Sequence, residues 1–328
     1  MAEQAEALSM SWRVARAIRE HGWSGEIIAV HAHSCYLTGD NAEIYAVVLE
    51  PLGNGPLNVL VRTAAAEPFA GLSVGASAAS SGAQLLLGDS LEVGLERATL
   101  WDPKVYLALG ADPGGLDRVL AELYRAAAAR GPEQSLARLL PHLHEEGLPA
   151  PLEAVSHFPR CHALIGGLVE SLAHRNRNSL KVVTSSLAGL GPGLTPSGDD
   201  FIAGVLLALA LVREQRPDAE LGEIAALLVE TAAPRTHEIS AAYLRAAHAG
   251  EAGEPWHPLL AAISIGDPQP LRDAVDRVLE IGETSGADML AGFIAGLSAV
   301  HGGSTVPWQG QLPAPETYPP AQTLPSTG

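Results

Sequence analysis

Cysteine is almost absent from this chain of 328 residues, and Cys35 and Cys161 lie far apart in no metal-ligand spacing. A disulfide framework and a cysteine zinc site are both excluded, and the pair reads as buried free thiols. Aromatic residues make up only 5%, which suggests helices packed through small residues rather than a surface of stacking platforms. Basic residues are scarce, with 20 Lys and Arg against 37 Asp and Glu. A net charge of −17 argues against nucleic acid and against a basic membrane-surface role, since both rely on clustered Lys and Arg. The longest apolar runs, Phe201–Val212 and Met289–Val300, fall short of the roughly 20 residues that span a bilayer. Met1–Gly22 lacks the apolar core of a signal peptide, so a soluble cytoplasmic protein is expected. Nucleophile-elbow, Walker, dinucleotide-binding and zinc motifs are also missing.

What is present divides into four stretches. Residues 1–25, with Glu3, Glu6, Arg13, Arg16, Arg19 and Glu20, read as an amphipathic surface helix. Residues 26–105 carry short β-type runs: Ile27–Tyr36, Ile44–Glu50, Leu57–Arg62, Gln84–Leu87 and Leu91–Val93. Gly, Asn, Asp and Pro separate these runs, and residues 64–83 read as loop with one short strand. Residues 106–301 have helical periodicity from Leu116 to Val300. From residue 302 the chain is rich in Pro, Thr, Ser and Gly, a composition expected to be disordered. The fold class expected is α+β: a small antiparallel β-barrel or sandwich followed by a mainly helical domain.

One stretch has far more turn chemistry than a connector needs. Residues 188–200 hold four glycines and two prolines and run straight into the apolar segment Phe201–Leu209. Thr195, Ser197, Asp199 and Asp200 stand where that helix must begin, where side chains cap free N–H groups and carboxylates meet a positive helix end. Glycine N–H groups opening a helix make a ready anion site, and Gly191, Gly193, Leu194, Thr195, Ser197 and Gly198 are its candidate lining.

The segment has an echo. Ser197–Leu209 aligns without gaps on Ser285–Leu297, both reading S-G-x-D-x-x-A-G-x-x-x-x-L, at an offset of 88 residues. Asp200 and Gly204, like Asp288 and Gly292, are one turn apart on one helix face. The Ala-Gly pairs remove bulk there, so the two helices can approach closely. Packed in parallel, they would bring Asp199, Asp200 and Asp288 together beside two positive helix ends, with Ser285 and Gly286 contributing. Mg²⁺ held by these carboxylates against a bound phosphate is an alternative use, although no metal set is assigned. Plain capping with small-residue packing is the competing explanation.

Thr236 and Ser240 share a face at i, i+4 near another helix start and are candidates for the same site. Arg235 is the nearest local cation. His31 and His33 would alternate along the first strand after residue 26, a pattern that can bind metal but lacks a third ligand.

The string Gly189-Leu190-Gly191-Pro192-Gly193-Leu194-Thr195-Pro196-Ser197-Gly198-Asp199-Asp200 closely resembles the signature of a bacterial domain-of-unknown-function family. That family includes one subunit of oxamate carbamoyltransferase, an enzyme of anaerobic allantoin breakdown. His33-Ser34, Leu52–Asn58, Thr236–Gly250 and Gly282–Gly292 are similar to it as well, so the likeness runs from about residue 26 to 300. The resemblance implies a carbamoyltransferase subunit that works with partner subunits. The reaction it implies converts oxamate and carbamoyl phosphate into oxalurate and phosphate. On that likeness His33 joins the substrate-binding candidates; Asp199, Asp200 and Asp288, given by the loop and its echo, are the catalytic candidates, and no cofactor is firmly implied. A non-catalytic scaffold subunit and a Mg²⁺-dependent hydrolase remain the alternatives.

Overall fold

The computed structural model describes residues 2–19, 23–39, 43–108 and 113–301; the tail expected to be disordered lies outside them. The first part is a closed barrel. Its strands are β1 (Glu3–Ser11), β2 (Ser24–Val30), β3 (Ser34–Gly39), β4 (Ile44–Leu49), β5 (Asn58–Thr63), β6 (Ser77–Ser80), β7 (Gln84–Leu87) and β8 (Leu91–Gly94). They run in the order β5-β4-β3-β2-β6-β7-β8-β1, and pairing of β1 with β5 closes the ring. A further strand, β9 (Thr99–Trp101), continues along β1. Closure removes the exposed sheet edges that would otherwise invite aggregation. Inward residues such as Met10, Leu37, Val47, Val59, Leu85 and Val93 fill the interior.

Two features depart from the sequence reading. The first 25 residues are not one helix: Glu3–Ser11 is a strand, followed by the short helix α1 (Trp12–Ile18). The barrel needs this strand to close, and its partner β5 is too remote in sequence for local periodicity to reveal. The barrel is also mixed rather than antiparallel, because β4–β5 and β1–β8 pair in parallel. A parallel β4–β5 pair requires the chain to travel back along the barrel between them. Residues 50–57 make that return, and they become one wall of the cavity described below.

The helical part comprises α2 (Pro113–Arg130), a 3-10 segment (Leu136–His142), α3 (Ala150–Glu153), α4 (Phe158–Ala173) and α5 (Arg177–Leu187). It continues with α6 (Ser197–Gln215), α7 (Ala219–Ala232), α8 (Glu238–His248), α9 (Trp256–Ile265), α10 (Pro268–Leu279) and α11 (Ser285–His301). Helix α6 is buried on every side from Ser197 to Leu211, which explains its nearly unbroken apolar sequence. Its main neighbour is α11, and the two run parallel. The vacant Cβ position of Gly292 points at the Phe201 carbonyl, while that of Gly296 lies 3.1 Å from Cα of Val205, one turn on.

The contact is reciprocal. Gly204 faces the backbone of Met289 as Gly292 faces that of Phe201, and these pairs interchange under the offset of the repeat. The duplicated motif therefore forms a local twofold at the centre of the molecule.

Barrel and helices meet where α8 packs on the outside of β4. Ile44 and Leu57 contact Ile239 and Ala242 there, so β4 is buried on both faces. Among the described residues, no helix is long and apolar enough to cross a membrane.

Candidate functional site

The glycine-rich loop links α5 to α6. Gly189, Gly191 and Gly193 have φ of 72°, 123° and 91°, a left-handed region that other residues rarely enter. At Gly191 a side chain would also sit 2.7 Å from the Ser197 nitrogen. The loop is pinned at both ends. The Leu190 N–H donates to the Leu187 carbonyl, and the Gly198 N–H donates to the Leu190 carbonyl at 2.8 Å. Between these anchors, the N–H groups of Gly191, Gly193, Leu194, Thr195 and Ser197 donate to no acceptor among the described residues. These five N–H groups lie in the segment that leads into the positive end of α6.

The three aspartates behave differently. Asp199 is 1% exposed and fully engaged. Its Oδ1 accepts from the Gly189 N–H at 2.9 Å, and its Oδ2 accepts from the Thr236 and Ser240 hydroxyls. Burial raises its pKa, and those hydrogen bonds offset part of the rise. Asp199 thus clips the loop to the start of α8, which gives Thr236 and Ser240 their place. Asp288 is completely buried, and its Oδ1 accepts from the Leu136 N–H at 2.5 Å. Burial pushes its carboxyl up to about 7.

Asp200 alone reaches open space. It is 9% exposed, its Oδ2 has no hydrogen-bond partner, and it lines a cavity of about 340 Å³. Burial holds its pKa well above the usual carboxylate range. The neighbouring charges of Asp288 and Asp199 add to the shift, while the Ser285 and Thr195 hydroxyls oppose it. The twofold appears again here. The Ser285 hydroxyl serves Asp200 and the Ser197 hydroxyl serves Asp288, each crossing to the other helix. Thr195 and Ser285 share a hydrogen bond of 2.9 Å, fastening the two helix starts together.

The cavity lies between barrel and helices. Tyr36, Val48, Asn54, Gly55, Pro56 and Asn58 come from the barrel side. Leu194, Thr195, Asp200, Tyr243, Glu251, Ser285, Gly286 and Met289 come from the helical side. Tyr36 and Tyr243 are hydrogen-bonded to each other, and burial raises the pKa of both phenols. Glu251 is 4% exposed; its Oε1 pairs with Arg13 of α1 at 2.9 Å and its Oε2 has no partner. Asn58 donates to the Gly53 carbonyl, and its Oδ1 has no partner. Among the described residues, no Lys or Arg lines this cavity.

Several expected members lie elsewhere. His31 and His33 do not alternate along one strand, because Ile27–Tyr36 breaks into β2 and β3 and both histidines occupy the exposed turn between them. His33 does not line the cavity. Arg235 is exposed, and its guanidinium donates to the Thr231 carbonyl of its own segment. The aspartates face different ways rather than converging on one point. Among the described residues, no group of three or more His, Cys, Asp or Glu is placed to hold a metal ion. The carboxylate ligand set considered for Mg²⁺ is therefore not formed.

Glu251, Tyr36 and Tyr243 were not singled out in the sequence. The available signal for Glu251 was a lone acid within Ala249-Gly250-Glu251-Ala252-Gly253, where a purely apolar turn would have served packing.

The family model of oxamate carbamoyltransferase subunit AllH matches residues 187–297, from the end of α5 into α11. This segment holds the glycine-rich loop, both copies of the repeat motif, Thr236, Ser240 and Glu251. The match supports the family assignment drawn from the loop signature. No solved structure matches the chain.

Proposed function

We propose that this chain, a member of the oxamate carbamoyltransferase subunit AllH family, binds the anionic substrate of a carbamoyl transfer at residues 191–200. The observation carrying this reading is the set of five unpaired loop N–H groups leading into α6, of which those of Leu194 and Thr195 belong to residues that line the cavity with Asp200.

In carbamoyl transfer the amide nitrogen of oxamate attacks the carbamoyl carbon. The bond from that carbon to the phosphate oxygen breaks, phosphate departs, and the nitrogen gives up a proton. Loop N–H groups are suited to the negative charge on phosphate and on the carbonyl oxygen. A side-chain nucleophile is not required. Cys35 and Cys161 are unsuited to that role, since both are buried with thiols pushed up to about 12.

Asp200 does not repel an incoming anion under this account. Burial raises its pKa and so disfavours the charged form of the carboxyl. With no Lys or Arg among the described lining residues, further positive charge falls under this account to the partner subunits that the family assignment implies.

Ligand-dependent thermal stability tests the reading. Carbamoyl phosphate at a hundredfold excess over its Kd is expected to stabilise the chain by about 2.7 kcal/mol. That gain reads out as a saturable rise in Tm. No rise with carbamoyl phosphate, phosphate or oxamate at any concentration would instead favour a non-catalytic scaffold.

A further inference from the structure

Three buried oxygens without hydrogen-bond partners border the same cavity: Oδ2 of Asp200, Oδ1 of Asn58 and Oε2 of Glu251. The residues that carry them are 9%, 8% and 4% exposed and come from α6, β5 and the turn after α8. All three atoms are acceptors, and burying an acceptor without a donor is unfavourable. Arg13 pairs with the other oxygen of Glu251, and the described lining residues include no Lys or Arg. Asp288, the twofold counterpart of Asp200, takes the peptide N–H of Leu136 on Oδ1 and leaves Oδ2 without a partner, but it does not line the cavity. On the Asp200 side the cavity opens instead, and Asp200 lines it.

From this juxtaposition we infer that Asp200, Asn58 and Glu251 form the specificity wall of the site, accepting the N–H groups of a ligand's amide end. The inference rests on the anion reading above and adds an orientation to it. The ligand's negative end meets the loop N–H groups, and its amide end turns toward the acceptor wall. Donor groups are favoured on that side, and a second carboxylate is disfavoured.

Calorimetric titration of the full-length chain with oxamate, oxalate, oxamide, phosphate and MgCl2 at pH 7.5 separates the two ideas, because the first three probes exchange carboxylate ends for amide ends and phosphate reports on the anion site alone. Oxamate is expected to bind at least tenfold more tightly than oxalate. Asp200→Ala, with its fold checked by circular dichroism, is expected to shrink that ratio to threefold or less. Oxalate binding as well as oxamate would overturn the acceptor wall while leaving the anion reading intact. Oxamide bound while oxalate and phosphate are not would support the wall and overturn the anion reading. If none of the three probes binds, both fail. If MgCl2 binds and oxamide does not, the wall is a cation site and the inference is wrong.

Discussion

Gly204→Ala is expected to destabilise the protein by about 3 kcal/mol or more, at or beyond the upper end for overpacked cores. A methyl group on Gly204 would collide with the Met289 carbonyl and lie 2.6 Å from the Phe293 nitrogen. Both obstacles are backbone, so no side chain can rotate away, and relief requires α6 and α11 to separate. Separation would in turn open the Thr195–Ser285 hydrogen bond and move Asp200. Gly147→Ala is the control: Gly147 is exposed with nothing within 4 Å of its Cβ position, and a change below about 0.5 kcal/mol is expected. Urea unfolding of the two variants measures the difference. Equal midpoints would show that the parallel helices are not in backbone contact.

Asp288→Asn is expected to stabilise the protein, and to do so only at higher pH. The folded state holds the Asp288 proton up to about pH 7, whereas the unfolded chain releases it near the ordinary 3.8. Below pH 4 both states are protonated and the group costs nothing. As pH rises from 4 to 7 only the unfolded state ionises, so native stability falls, and above 7 the loss levels off at about 4 kcal/mol. Asparagine keeps an oxygen for the Leu136 N–H and cannot ionise. Unfolding at pH 5 and pH 8 is the check, with a gain of roughly 2–4 kcal/mol at pH 8 and a much smaller one at pH 5. The same gain at both pH values, or a loss at pH 8, would contradict the burial argument.

The features legible in the sequence were those written within one segment. The loop announces itself through Gly189, Gly191 and Gly193, and each takes up a backbone that needs glycine. The repeat is equally local, and its Ala-Gly pairs permit a close helix contact, which α6 and α11 make. What could not be read depends on partners remote in sequence. Strand β1 looks helical because charges at Glu3, Glu6 and Arg13 recur at helix-like intervals, yet its pairing with β5 decides its state. The direction in which each aspartate points was also hidden. Asp199, Asp200 and Asp288 share one motif, but α8, the cavity and Leu136 claim them separately. Asn58 and Glu251 become neighbours of Asp200 only because the barrel docks on the helical part.

Backbone amide resonances of the loop give the most direct test that residues 191–200 bind an anion. With 15N-glycine labelling, addition of carbamoyl phosphate is predicted to shift Gly191 and Gly193 saturably, while Gly147 stays unmoved. Unchanged loop signals at saturating ligand, or shifts confined to glycines outside the loop and cavity, would contradict the account.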